Sequence, residues 1–168
     1  MYRKLFFAAI CFSFLTACNN SDKEKKEETT VQNMDDSMHH MGPVSGDVPE
    51  LPAVPEGAKV VFKNLKNDAT ISSPFKLEMG TEVIRIDTAG PVVAGTGHHH
   101  LFIDAEDSLA AGEIVPKDSA HVHFGKGQTA YELKLSPGKH KLTLQMADGL
   151  HRSYGSKLAT TIMVNVKK

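Results

Sequence analysis

Histidine is the residue whose placement in this chain points to chemistry. Five of the nine histidines stand in two short tracts, Gly97-His98-His99-His100-Leu101-Phe102-Ile103-Asp104 and His121-Val122-His123-Phe124-Gly125. Each tract has the composition of a β-strand, in which successive side chains point to opposite faces. Val122 and Phe124 then take one face of the second strand, and His121 and His123 share the other. On the first strand Leu101 and Ile103 face a core, which sets His98 and His100 on the outer face and His99 at the core-side margin. Phe102 also falls on the outer face, where so large an apolar ring needs a covering loop.

A His-x-His pair on one strand presents two imidazoles to the same side. If the two strands are antiparallel neighbours, pairing His100 with His123 or His121 sets opposite Cβ atoms about 4.5–5.5 Å apart. Ring nitrogens can then converge at roughly 2.0–2.1 Å on one metal ion. The expected ligands are His98, His100, His121 and His123, with His151 from the last loop. Asp104, Asp148 and His99 are candidate supporting residues, of the kind that orient ligand rings through hydrogen bonds. Neutral imidazole serves both zinc and Cu(II), and intrinsic affinity favours copper. The competing expectation is a polar structural cluster, its rings bonded to backbone and to one another.

Catalysis asks for more. A catalytic zinc site needs an open coordination position and a carboxylate base close by. Glu106, Asp104 and Glu113 are near only in sequence, and no serine elbow, paired-carboxylate or phosphate-loop motif accompanies them. Gly125-Lys126-Gly127 reads as a hairpin turn. The sequence favours binding over turnover, and no catalytic residue is assigned.

The elements that must position these residues are short and alternating, separated by Gly, Pro, Asn and Asp from Lys59 onward. Strands are expected at 60–62, 75–79, 81–87, 98–104, 121–124, 129–135, 139–147 and 157–166, with a turn and short edge over 67–74. Residues 88–97 form a loop. A longer loop is expected over 105–120, with one helical turn near Ser108 to Ala111. About seven strands in roughly 110 residues argue an all-β antiparallel sandwich.

Upstream of the domain the chain reads as delivery and tethering. Arg3 and Lys4 precede the apolar run Leu5 to Leu15, too short to remain as a membrane span. The run ends in Leu15-Thr16-Ala17-Cys18, which resembles a bacterial lipobox, and so implies a signal peptide over 1–17 and a lipidated Cys18. At about 0.8 kcal/mol per buried methylene, acyl chains on Cys18 anchor the protein to a lipid bilayer. Asn19 is not the Asp associated with inner-membrane retention, so the expected location is the outer membrane of a bacterial cell envelope. Cys11 leaves with the signal, and the mature chain keeps no free thiol.

Residues 18–57 are poor in large apolar groups and rich in charge, Pro, Gly and Ser, the composition of a disordered tether with a reach of roughly 35 Å. Within it, Met34, Met38, His39, His40 and Met41 combine thioether and imidazole, a set that suits copper. The ordinary alternative is a polar linker that happens to contain them. A net charge of −1 gives no electrostatic reason to expect nucleic acid as a partner.

Two resemblances follow from longer motifs. Asn67-Asp68-Ala69-Thr70-Ile71-Ser72-Ser73-Pro74-Phe75-Lys76-Leu77 resembles the opening of bacterial immunoglobulin-like domains, and residues 133–151 resemble their penultimate hairpin. That implies an immunoglobulin-like sandwich with His140 as a scaffold residue in the tyrosine-corner position. T-G-H-H-H-L-x-I-D at 96–104, H-x-H-F-G-x-G-Q-T at 121–129 and P-G-x-H-x-L-x-L-x-x-x-D-x-x-H at 137–151 together resemble a family of exported bacterial domains. That family carries only a domain-of-unknown-function label, and the resemblance covers residues 58–168. After His151 this chain departs from it, with Arg152-Ser153-Tyr154-Gly155-Ser156 in place of a further His and prolines. Two functions are therefore weighed. One is a lipid-anchored module that holds or passes copper or zinc. The other is a metal-free immunoglobulin-like interaction module that binds an envelope protein or glycan.

Overall fold

The computed structural model describes residues 47–168. The signal segment, Cys18 and the Met34, Met38, His39, His40 and Met41 tract lie outside the described residues.

Nine strands and one 3-10 turn make up the domain: β1 Lys59–Phe62, β2 Ala69–Ile71, β3 Phe75–Glu82, β4 Arg85–Ile86, β5 Thr96–Ile103, β6 His121–His123, β7 Ala130–Leu133, β8 Gly138–Ala147 and β9 Ala159–Val166, with the turn at Ser156–Leu158. No α-helix occurs among the described residues. One sheet has the order β1-β3-β7. The other runs β2-β9-β8-β5-β4, with β6 also on β5. The all-β sandwich expected from the pattern is what forms.

Alternation builds the core between the sheets. Leu77 and Met79 of β3 and Leu133 of β7 meet Leu101 of β5, Leu142, Leu144 and Met146 of β8, and Val164 and Val166 of β9. Burying one such side chain is worth roughly 1.5–3 kcal/mol, so this layer sets the register of every strand that enters it.

The details depart from expectation in three places. Phe75 to Asp87 was expected as two strands broken at Gly80, but β3 runs through Gly80 and turns only at Val83, whose φ is 67°. Gly80 is kept in the strand because the aliphatic chain of Lys63 packs where a Cβ would stand. The sandwich is also not wholly antiparallel, since β2 runs parallel to β9 and β4 parallel to β5. Third, the 105–120 loop has no helical turn at 108–111. It lies extended over the outer face of the larger sheet, where Leu109 and Val115 join Phe102 and Ala147 in a second small core. That loop is the cover Phe102 requires.

Candidate metal centre

The outer face of β5 carries His98, His100 and Phe102 in a row. β6 pairs with it antiparallel in the register His100↔His123 and Phe102↔His121. On its other side β5 pairs with β8, and His98 stands opposite Ala147, the last residue of that strand. Ala147 packs with Leu109 and Val115 of the covering loop, and the His98 ring is met by His151 at a centroid distance of 5.0 Å.

His151 comes from the segment that follows β8. After Ala147 the chain makes a tight turn held by Asp148. The carboxylate accepts the backbone N–H groups of Leu150 and Arg152 at 2.9 Å each, and His151 N–H donates to the Asp148 carbonyl at 2.9 Å. Arg152 clamps the same carboxylate, with Nε at 2.8 Å and Nη2 at 2.6 Å from Oδ2. His151 itself is forced to a φ of 66°, a left-handed conformation uncommon outside glycine. The turn packs tightly on residues 90–91, where a Cβ at Gly149 would run into the carbonyl oxygens of Gly90 and Pro91.

Four imidazoles therefore meet. The Nε2 atoms of His98 and His100 are 3.0 Å apart, and those of His123 and His151 are 3.2 Å apart. Ring centroids of His98 lie 5.0 Å from both His123 and His151, and His100 stacks on His123 at 5.0 Å. Ring nitrogens of His98, His100 and His123 all lie within 4.8 Å of one another, so this triad could hold a metal ion. For comparison, a tetrahedral ion with bonds of 2.0–2.1 Å sets its ligand atoms about 3.3 Å apart.

Burial disfavours the charged form at three of these rings. Burial lowers His98 to about 4, assisted by His151 and His123. Burial also lowers His100 to about 2, with His98, His123 and His151 adding repulsion. His123 is lowered by burial, then by His151 and Lys117. A neutral imidazole has a free lone pair, the form a metal needs. In the metal-free cluster, one ring of each close pair donates and the other accepts. The Nδ1 atoms of His98 and His100 are buried without any partner, so neither ring is fully satisfied by the protein alone.

His121 stands apart from this group. Its Nδ1 is 2.7 Å from Asp118 Oδ1 and its Nε2 is 2.9 Å from Glu106 Oε1, while its ring packs edge-on against Phe102 at 4.6 Å. Burial opposes its protonation, but the two carboxylates outweigh burial and raise its pKa. With both nitrogens facing carboxylates, neither is left for a metal. None of the other supporting candidates bonds a ring of the cluster. Asp104 binds His140 Nδ1 at 2.7 Å and the Lys141 N–H at 2.8 Å. Asp148 meets no ring nitrogen and acts instead on the turn that carries His151. His99 projects from the opposite face of β5, fully buried, with burial holding it near 4 and both ring nitrogens without a partner. Glu113 accepts the Ala110 N–H at 3.1 Å.

One contributor escaped the residue-type reading. A Cβ at Gly125 would collide with Cε1 and Nε2 of His123. Gly125 is two residues beyond His123 on the same face, and its bare backbone is the room the imidazole occupies. The signal was present in His-x-His-Phe-Gly, where the glycine reads as the start of a turn.

The family model for a domain of unknown function (DUF4399) matches residues 77–167, the span that contains all four clustered histidines, Asp148 and Gly125. The chain belongs to that family. No curated protein and no solved structure matches it. The DUF4399 match begins inside β3, so β1 and β2 lie outside the matched span.

Proposed function

We propose that this DUF4399 domain is a metal-binding module, with His98, His100, His123 and His151 as ligands to one copper or zinc ion. The observation that carries the reading is the convergence of four imidazoles whose nearest polar neighbours are one another. Structural histidines in the same domain, His121 and His140, are each held by carboxylates. A cluster with two buried rings whose Nδ1 atoms have no partner is a poor device for stability and a good one for a cation. An all-nitrogen donor set suits Cu(II) and zinc, and the affinity order favours copper when both are present.

The export signal and Cys18 complete the proposal: a lipid-anchored protein of the bacterial envelope that holds or passes the ion. The Met34–Met41 tract, with its thioethers, is proposed as an additional copper-binding stretch.

Metal analysis of the purified chain at neutral pH after exposure to copper or zinc tests the reading. One tightly held equivalent lost on His98→Ala is expected, and for copper an electron paramagnetic resonance spectrum showing several equivalent nitrogens. Absence of any retained ion would overturn it in favour of the polar-cluster reading. Anchoring is tested separately by fractionation: Cys18→Ala should move the protein from the membrane to the soluble fraction.

A further inference from the structure

Burial around the four histidines is one-sided. His98 and His100 are buried, whereas His151 is half-buried and His123 exposed. On the exposed side lies a cavity of about 370 Å³, lined by His100, His121, His123 and His151 and closed by Ile114, Val115, Pro116 and Lys117. Its walls are mostly apolar, and Ile114 is 66% exposed at the rim. Lys117 lines the same cavity as His123.

Charge decides what such a cavity takes. Histidines bind a metal through ring lone pairs and bring no charge of their own, so four of them leave the full charge of a divalent ion uncompensated. The carboxylates nearby are directed at other groups, Glu106 and Asp118 both at His121 and Asp148 at Arg152. The Lys117 ammonium adds further positive charge at the mouth. A metal that keeps an open or exchangeable position there attracts an anion. Apolar walls beside it favour an anion with a hydrocarbon body.

We infer that the cavity over His123 and His151 binds a small organic monoanion, its carboxylate on the metal and beside Lys117, its aliphatic body against Ile114, Val115 and Pro116. This rests on the metal reading above.

The test uses the copper-loaded chain, with the visible absorption and resonance spectra of Cu(II) followed during titration with acetate, azide, hexanoate and hexylammonium. Hexanoate should perturb the spectra and bind at least about tenfold more tightly than acetate, since several methylenes leave water. Hexylammonium should leave the spectra unchanged. Lys117→Gln should weaken hexanoate and acetate alike by about fivefold, the scale of one partly exposed charge pair. Ile114→Ser should weaken hexanoate while sparing acetate. Both residues are exposed and neither is a proposed ligand, so copper content serves as the check on folding. Retained copper with spectra indifferent to every anion would overturn this inference and leave the metal site standing. So would azide or acetate binding as tightly as hexanoate. Failure to take up copper or zinc at all would remove the reading beneath it as well.

Discussion

Two groups of histidines in this domain are built on opposite principles. His121 and His140 each sit between acceptors. His121 has Asp118 and Glu106, and His140 has Asp104 at 2.7 Å and the Ser136 carbonyl at 2.9 Å. With an acceptor at both ring nitrogens, the favoured species is the imidazolium. For both residues the acceptors overcome burial and raise the pKa. The cluster of His98, His100, His123 and His151 has no acceptor but its own members, and its two inner rings are driven toward neutrality. The same side chain thus serves as a proton-holding strut between acceptors in one place and as a lone-pair donor in the other. The surroundings, not the residue, assign the task.

Substitution at the two groups should separate them most sharply. His100→Ala removes an inner donor and should abolish stoichiometric metal retention. Orienting neighbours of a ligand alone are worth 10- to 100-fold in affinity, so a direct ligand is expected to exceed about 100-fold. His140→Ala should leave metal content unchanged. Parallel metal analysis of the two variants, with circular dichroism to confirm folding, makes the comparison, and equal metal loss in both would break it.

Gly125→Ala comes next in size. The added methyl meets the His123 ring, which swings outward without disturbing the core. Metal affinity measured by competition with a chelator should fall about tenfold, within the range for displaced supporting groups, while the melting temperature hardly moves.

The smallest effect is on acid and alkaline stability of the metal-free chain, and its sign differs between the groups. His98, His99 and His100 have folded-state values of about 4, 4 and 2 against an ordinary 6.5. The unfolded chain therefore takes up protons that the folded chain refuses, and stability falls as pH drops below 6.5. His140 is raised instead. Its contribution is complete below 6.5 and fades as pH rises through its folded-state value. With the Asp104 side chain half exposed to screening water, that contribution is about 1 kcal/mol. Thermal melts across pH 4–9 (, roughly the span of these titrations) should show His98→Gln easing the acid loss and His140→Gln flattening the alkaline one.

Much of this was legible before any coordinates. Alternation alone set His98 and His100 on one face and left His100 opposite either His123 or His121 if the strands were antiparallel neighbours; the register His100↔His123 came only with the structure. The same rule put His121 on the site's face, where it does lie. It could not show that Phe102 intervenes, or that Glu106 and Asp118 arrive from a loop to claim both ring nitrogens. Loop geometry has no periodicity to read. His151 was found by residue type, but its position depends on Asp148 and Arg152 closing a turn. Arg152 stood in the sequence only as a departure from the family pattern. Gly80 misled in the other direction: glycine usually weakens a strand, and here the Lys63 chain supplies the missing cover.

Arg152 has a second engagement. Besides Asp148, its guanidinium donates from Nη1 to the Pro49 carbonyl at 2.6 Å and from Nη2 to the Glu50 carbonyl at 3.4 Å. Residues 49–50 lie well before the first strand and before the span shared with the family. They nevertheless brace the turn that presents His151. A fragment trimmed to begin at Leu77, or even at Ala58, would keep every histidine of the cluster and lose this buttress. The smallest piece that preserves the site's full geometry accordingly starts ahead of Pro49, and the boundary of the working domain lies some way outside the boundary of its recognisable sequence.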